Sequence, residues 1–264
     1  MVDTSTPPKN PKRFATLISP GNYEAERHFY TKVLNAQIHP LVNSFLSLTN
    51  EQIIHRYWHL HPEVDRQALG EIFQYKPKNF RWAGADLFSV ANRTGKRTIA
   101  LIETNSCPSG QKSMPFPDDR DTAGYERLLK ESFLPALENQ TNLPDGSLAV
   151  IYDKNPMENV GYAEILAEIT NEQVFVAEFY QDDPDPPVKF EEGIMYLRDK
   201  RDVWHPIRGT FRYVTQRPWN RIPINMKTFI YNPIIACLSG GRNKMVAAKA
   251  YDFLNAELQS AKLK

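Results

Sequence analysis

The strand–helix–strand rhythm between residues 148 and 180 constrains the fold more than any other feature of the chain. Leu148 to Tyr152 is a short apolar run that reads as a buried strand. Met157 to Ile169 carries helical spacing, and Val174 to Tyr180 is a β-branched, aromatic strand. Buried strands alternating with a helix argue for an α/β fold, a partly parallel mixed sheet with flanking helices.

The rest of the chain falls into place around that unit. Residues 1–13 are polar and rich in Pro and Lys and read as a flexible tail. Residues 14–79 read as a helical N-terminal segment. Phe29, Val33 and Leu34 predict a helix from Tyr23 toward Leu48. Thr49 or Asn50 caps a second through Leu60, and Asp65 to Tyr75 gives a third. Residues 80–264 form the α/β region. It opens with a hairpin of Phe80 to Val90 and Thr98 to Thr104, turning at Asn92-Arg93-Thr94-Gly95. Asp121 to Asn139 is a helix with Tyr125, Leu128, Leu129, Phe133 and Leu137 on one face. Ile194 to Leu197 is a further strand, and Met245 to Leu258 a closing helix. Asp182-Asp183-Pro184-Asp185-Pro186-Pro187 reads as a loop whose acids are solvated.

Charge narrows the function classes. Lys+Arg 32 against Asp+Glu 31 leaves a net charge of +1 over 264 residues. Such a balance gives no field that would recruit nucleic acid or an anionic membrane wholesale, so any anion site is local. No stretch reaches the roughly 18 to 20 consecutive apolar residues of a membrane span, and the N-terminus lacks the apolar core of a secretion signal. Two cysteines, Cys107 and Cys237, form neither a disulfide framework nor a zinc pattern. These features point to a cytoplasmic protein.

Chemistry concentrates at the end of the second hairpin strand. Glu103 and Asn105, two apart, put a carboxylate and an amide oxygen on one strand face. With Asp86 from the partner strand they make a hard, oxygen-rich set suited to Mg²⁺, unless they are plain surface polar residues at a strand end. The loop from Ser106 to Ser113 follows, with Ser106, Ser109 and Lys112 offering hydroxyls, backbone N–H groups and a cation to an anion. No Walker pattern is present, and Cys-Pro-Ser-Gly is also ordinary turn chemistry. Arg198, Arg201, Arg208, Arg212, Arg217 and Arg221 are interleaved with aromatic residues. They read as carboxylate-binding forks or as solvated arginines on an amphipathic β surface. Gly240-Gly241-Arg242-Asn243-Lys244 opens the last helix and reads as a candidate phosphate cradle or as a simple strand-to-helix turn with a basic first turn. His55, His59 and His61 lack a fourth ligand and read as a helix end.

With these pieces in order the chain resembles the circularly permuted ATP-grasp ligases, the group of glutathione synthetase and glutathionylspermidine synthetase. Ala85-Asp86-Leu87-Phe88 followed by Glu103-Thr104-Asn105-Ser106 looks like the family's metal motif. Met195-Tyr196-Leu197-Arg198-Asp199 looks like its arginine-bearing strand, and Pro233 to Lys244 like its lysine segment. The resemblance implies that Asp86, Glu103 and Asn105 hold Mg²⁺, that Ser106 and Ser109 approach substrate, and that Arg198 binds a carboxylate. It places Lys244, with Gly240, Gly241 and Arg242, at the phosphates of ATP. Gly84 stands where relatives often carry a substrate-binding arginine, with Arg81 three positions away. The family's second lysine, further acidic ligands and lid would follow Lys244, so the ATP-grasp-like region reads as incomplete.

The activity so implied is ATP-dependent joining of an acid to an amine through an acyl phosphate. Small-molecule acid and amine substrates are the expected partners, with a homo-oligomer or a second chain completing the ATP site. Two rivals stand beside it. One is a non-catalytic remnant or partner subunit that binds a peptide-like acid through Arg198 and Arg208. The other is an RNA-contacting protein using Arg208 to Arg221, which the near-neutral charge disfavours.

Overall fold

A computed structural model of the chain describes residues 12–24, 44, 47–79, 81–91, 93–95, 97–111, 120, 122–237 and 244–262; the side chains of 87–89, 97–103, 244, 246–247, 250 and 262 lie outside the description. The helix expected from Tyr23 toward Leu48 also lies largely outside it.

Along the chain come β1 (Thr16–Ile18), α1 (Asn50–Leu60), α2 (Arg66–Gln74), β2 (Gly84–Ala91) and β3 (Arg97–Asn105). The helix α3 follows in three parts: Ala123–Leu128, a π-helical turn Leu129–Phe133, and Leu134–Glu138. Then come β4 (Ser147–Tyr152), α4 (Pro156–Thr170), β5 (Val174–Glu178), β6 (Val188–Glu191), β7 (Ile194–Arg198), β8 (Trp204–Tyr213), β9 (Phe229–Tyr231) and α5 (Lys244–Lys262).

The fold is α/β with a mixed sheet. Strand order is β1-β5-β4-β8-β7-β6, with β9 also paired to β8. The long β8 pairs with β7 over its first half and with β9 over its second. β5, β4, β8 and β9 run parallel, while β1, β7 and β6 add antiparallel edges. β2 and β3 form a separate two-stranded sheet. The segment from residue 14, which reads as helical, thus contributes a strand. Lys12 and Arg13, expected in a flexible tail, pair with Asp202 and Asp183.

Alternation along the central strands separates two apolar layers. Leu148, Val150, Tyr152, Phe211 and Tyr213 face α3 and α4, where they meet Tyr125, Phe133, Tyr162 and Trp82. Ala149, Ile151, Phe175, Ala177 and Ile207 face the other way, onto Val188, Met195, Leu197, Ile222 and Ile230. α4 is buried almost all round, as a helix packed on a sheet and a second helix must be. Each such fully buried aliphatic or aromatic side chain contributes about 1.5–3 kcal/mol. Pro135 accounts for the π turn in α3: it has no N–H to donate, and its ring crowds the carbonyl one turn back.

Candidate functional site

In open α/β sheets, ligands bind in the crevice outside the carboxyl ends of the parallel strands. Here that edge is unusually polar. Asp153, directly after β4 and 2% exposed, accepts from Thr215 N at 2.9 Å, Thr215 Oγ1 at 3.0 Å, Gln216 N at 2.7 Å and Arg221 Nη1 at 3.2 Å. One carboxylate therefore organises the turn that leaves β8. Asn232, directly after β9, is fully buried with φ 46°, a left-handed conformation that asparagine tolerates. Its Oδ1 accepts from Arg81 N and Trp82 N at 3.1 and 3.2 Å, and its Nδ2 donates to Ser106 O at 2.8 Å and to Trp82 O. All four bonds of one amide thus tie the start of the β2–β3 hairpin and its end to the sheet.

Beneath the hairpin's exit lies Arg212, fully buried in β8. Its Nε donates to Asn232 O at 2.8 Å and its Nη1 to Val214 O at 2.7 Å. Nη2 makes no hydrogen bond of good geometry among the described residues, and the guanidinium has the thiols of Cys107 and Cys237 as neighbours. Burial pulls the guanidinium pKa down, but the two sulfurs more than offset it, so the net shift is upward. Cys107 Sγ contacts Arg212 O at 3.6 Å, and Ser106 Oγ lies 3.5 Å from Cys237 Sγ.

The loop after β3 meets the N-terminus of α4. Glu158 Oε1 accepts from Gly110 N at 2.9 Å and Gln111 N at 3.1 Å, while its buried Oε2 has no hydrogen-bond partner among the described residues. Burial raises the carboxyl pKa, and the two N–H groups counter that only in part. The Tyr213 phenol, which accepts from Asn155 Nδ2 at 3.2 Å and bonds Ser109, is pushed up chiefly by burial. Gly124 makes room for the loop: a Cβ there would stand 2.0 Å from Gln111 O.

The hairpin register places position 86 directly opposite 103, and 84 opposite 105. Positions 86, 103 and 105 therefore share one face of the ribbon. A bulge between Asp86 and Leu87, with Ile102 as the extra residue, adjoins them, as bulges often adjoin sites. Asp86 is exposed and Asn105 half-buried; the Glu103 side chain lies outside the description. Gly84 has a local reason: a Cβ would stand 2.7 Å from Pro108 Cβ.

The other expected residues are dispersed. Ser106 is fully buried, Ser109 is exposed, and Lys112 lies outside the described residues. So do Gly240, Gly241 and Arg242; Lys244 opens α5 with its side chain outside the description. Arg198 is 6% exposed and already committed. Its Nη1 pairs with Asp185 at 2.7 Å, its Nη2 reaches the Asp185 carbonyl, and the group lies between the rings of Phe14 and Trp204. Arg208 is the extra residue of a bulge against β4, and its fork holds Glu172 at 2.7 Å and Gly146 O at 2.8 Å, at the amino end of β4. The solvated reading of the 182–187 loop fails for Asp183, whose side chain is buried against Arg13, and holds for exposed Asp182 and Asp185. Among the arginines it fails for buried Arg198 and Arg212 and holds for Arg201 and Arg217. His55, His59 and His61 are exposed along α1. Among the described residues no three His, Cys, Asp or Glu side chains stand together as metal ligands.

Sequence reasoning passed over Asp153, Glu158 and Asn232. For Asp153 and Asn232 a signal existed, since each is the first polar residue after an apolar strand. No family model, curated protein or solved structure matches the chain. No helix among the described residues is long and apolar enough to cross a membrane.

Proposed function

We propose that the chain is an ATP-dependent carboxylate–amine ligase, or the substrate- and metal-binding half of one, working in the cytoplasm, where two buried cysteines not joined in a disulfide stay reduced. The hairpin register carries the reading, because positions 86, 103 and 105, two acids and an amide, share one face of a ribbon whose two ends Asn232 ties to the carboxyl end of β9. That donor set fits Mg²⁺ in kind, and Asp86, Glu103 and Asn105 would hold it. Mg²⁺, when bound with ATP, supplies charge neutralisation at the phosphoryl oxygens. In the reaction a carboxylate oxygen attacks the γ-phosphorus and ADP leaves. An amine nitrogen then attacks the acyl carbon, expelling phosphate and losing a proton. Small acid and amine molecules are the partners.

The chain's own groups position. Asn232 anchors both ends of the hairpin, and exposed Ser109 offers a hydroxyl beside the loop. Arg198 and Arg208 are not assigned a substrate, since Asp185 and Glu172 already fill their forks.

One observation favours a second reading, a non-catalytic relative that retains the fold. The Gly110 and Gln111 N–H groups, which would greet an anion, are held by the internal carboxylate of Glu158. Titration calorimetry of MgATP separates the cases. The ligase reading expects binding that Glu103→Ala and Asp86→Asn each weaken at least about tenfold, a loss of about 1.4 kcal/mol, together with ADP release in the presence of an amino-acid panel. Binding without turnover selects the remnant. MgATP affinity untouched by either substitution overturns the metal assignment.

A further inference from the structure

A groove of about 290 Å³ runs between the segment leading into β2 and the segment leading into β9. It adjoins the Asn232 anchor through Arg81 and Pro233 and is not lined by Asp86, Glu103 or Asn105 among the described residues. Its charged lining residues are Lys78, Arg81 and Lys227, and no carboxylate lines it among the described residues. None of the three cations is engaged in an ion pair among the described residues, in contrast to Arg13, Arg198, Arg208 and Arg221, each of which has an acid within 3.2 Å. An accumulation of unpaired like charge around one concavity is unfavourable for the empty protein and is relieved by an anion.

The remaining walls are largely apolar, with Asn79, Gln140 and Thr228 as their polar members. Pro223, Ile224, Met226 and Phe229 form one side, and Ile224 is 61% exposed. The polar group of Thr228 is already used, donating to Ile207 O at 2.6 Å and accepting from Met195 N at 2.9 Å. The charged walls are held at the backbone: Arg81 N donates to Asn232 Oδ1 at 3.1 Å, and Lys227 N donates to Gly193 O at 2.7 Å. All three cations are exposed, so their side chains still order on binding, but the fixed backbone at Arg81 and Lys227 lowers that cost. The volume stands at the small end of the range for small-ligand sites, about 300 Å³ and up.

From this juxtaposition we infer that the groove binds a small organic dianion, a phosphomonoester carrying a compact apolar substituent. Three positive charges match a dianion better than a single carboxylate. The Arg81 fork suits two phosphate oxygens, with the lysines as point charges around the third. The apolar substituent lies on Ile224 and Met226. The inference stands apart from the ligase reading, which uses Asp86, Glu103 and Asn105.

Calorimetry with phenyl phosphate as the probe tests it, with inorganic phosphate and benzyl alcohol as partial probes and no nucleotide present. Phenyl phosphate is expected to saturate one site, at least about tenfold tighter than inorganic phosphate, with benzyl alcohol showing no heat. Arg81→Gln and Lys227→Gln each weaken it about tenfold, and affinity falls with added salt. Ile224→Ser weakens phenyl phosphate while sparing inorganic phosphate, a pattern that misfolding would not produce. Glu103→Ala leaves the phenyl phosphate isotherm unchanged, which separates this site from the nucleotide reading. Absence of saturation in the millimolar range, equal affinity for inorganic and phenyl phosphate, or an isotherm unmoved by Lys78→Gln, Arg81→Gln and Lys227→Gln combined overturns it.

Discussion

Glu158 shows how one buried side chain sets the disposition of a loop. Its carboxylate joins the Gly110–Gln111 backbone to the first turn of α4, yet one of its oxygens is buried without a hydrogen-bond partner among the described residues. Removing the group altogether in Glu158→Ala strands two loop N–H donors and should cost about 1–3 kcal/mol in urea unfolding. Glu158→Gln keeps an acceptor and removes the charge, so its effect depends on pH. Because burial raises the folded-state pKa, this residue's contribution to stability is fully present below the ordinary carboxyl range and is lost as pH rises through the folded value. The Gln variant does not titrate. Its urea midpoint relative to the natural chain should therefore be higher at pH 7 than at pH 4, and a difference that is flat or reversed would show that the carboxylate is comfortable in its site. Spacing made Glu103 and Asn105 conspicuous, because two residues on one strand declare a shared face. Nothing local to Glu158 shows that residues 110 and 111 will lie on it, because the partner is 47 and 48 positions away.

Elements with strong local codes were legible. Thr49 and Gln52 form a reciprocal capping box at the start of α1, and Asp65 caps α2 through Ala68 N. The hairpin, α3 and the β4–α4–β5 unit appear within a few residues of their expected limits. β1 and β6, three and four residues long, carry too little pattern to read. In β8 the arginines mask the alternation, because Arg208 leaves the ladder at a bulge and Arg212 is buried through backbone carbonyls rather than an acid. Two glycines test how helices are placed. Gly70 in α2 has nothing within 4 Å of an added Cβ, so Gly70→Ala should stabilise that helix by about 0.5–1 kcal/mol, seen as slower amide exchange in α2. Gly124 opens α3 against the Gln111 carbonyl, and Gly124→Ala should cost about 1–3 kcal/mol despite the same gain in helix propensity. Equal effects at the two positions would mean that the loop yields freely and α3 does not constrain it.

At the scale of the whole molecule, the parallel strands and the hairpin that carries the candidate ligands are separate sheets, and their relation depends on few groups. Asn232 is the principal one, since its amide bonds both the lead-in at Arg81 and Trp82 and the exit at Ser106. Trp82 adds apolar weight, with its ring 5.0 Å from Phe211 in the core. Loss of the amide leaves that ring, the Ser132 bond to Arg81 O and the Glu158 bonds to Gly110 N and Gln111 N to hold the hairpin's ends. Asn232→Gly isolates the amide, because glycine accepts the 46° φ without strain and the backbone path is retained. Four hydrogen bonds to backbone are then lost, three of them buried and out of reach of replacement by water. The central sheet should keep its far-ultraviolet signal, while protease cleavage within residues 81–111 accelerates about tenfold or more. Under the ligase reading MgATP affinity should fall with it, although Asp86, Glu103 and Asn105 are all intact, because a metal site shared by two strands needs both strands held. Cleavage at the natural rate, or MgATP affinity preserved while the hairpin is cut freely, would show that the hairpin's position is set elsewhere and that the sheet edge does not organise the site.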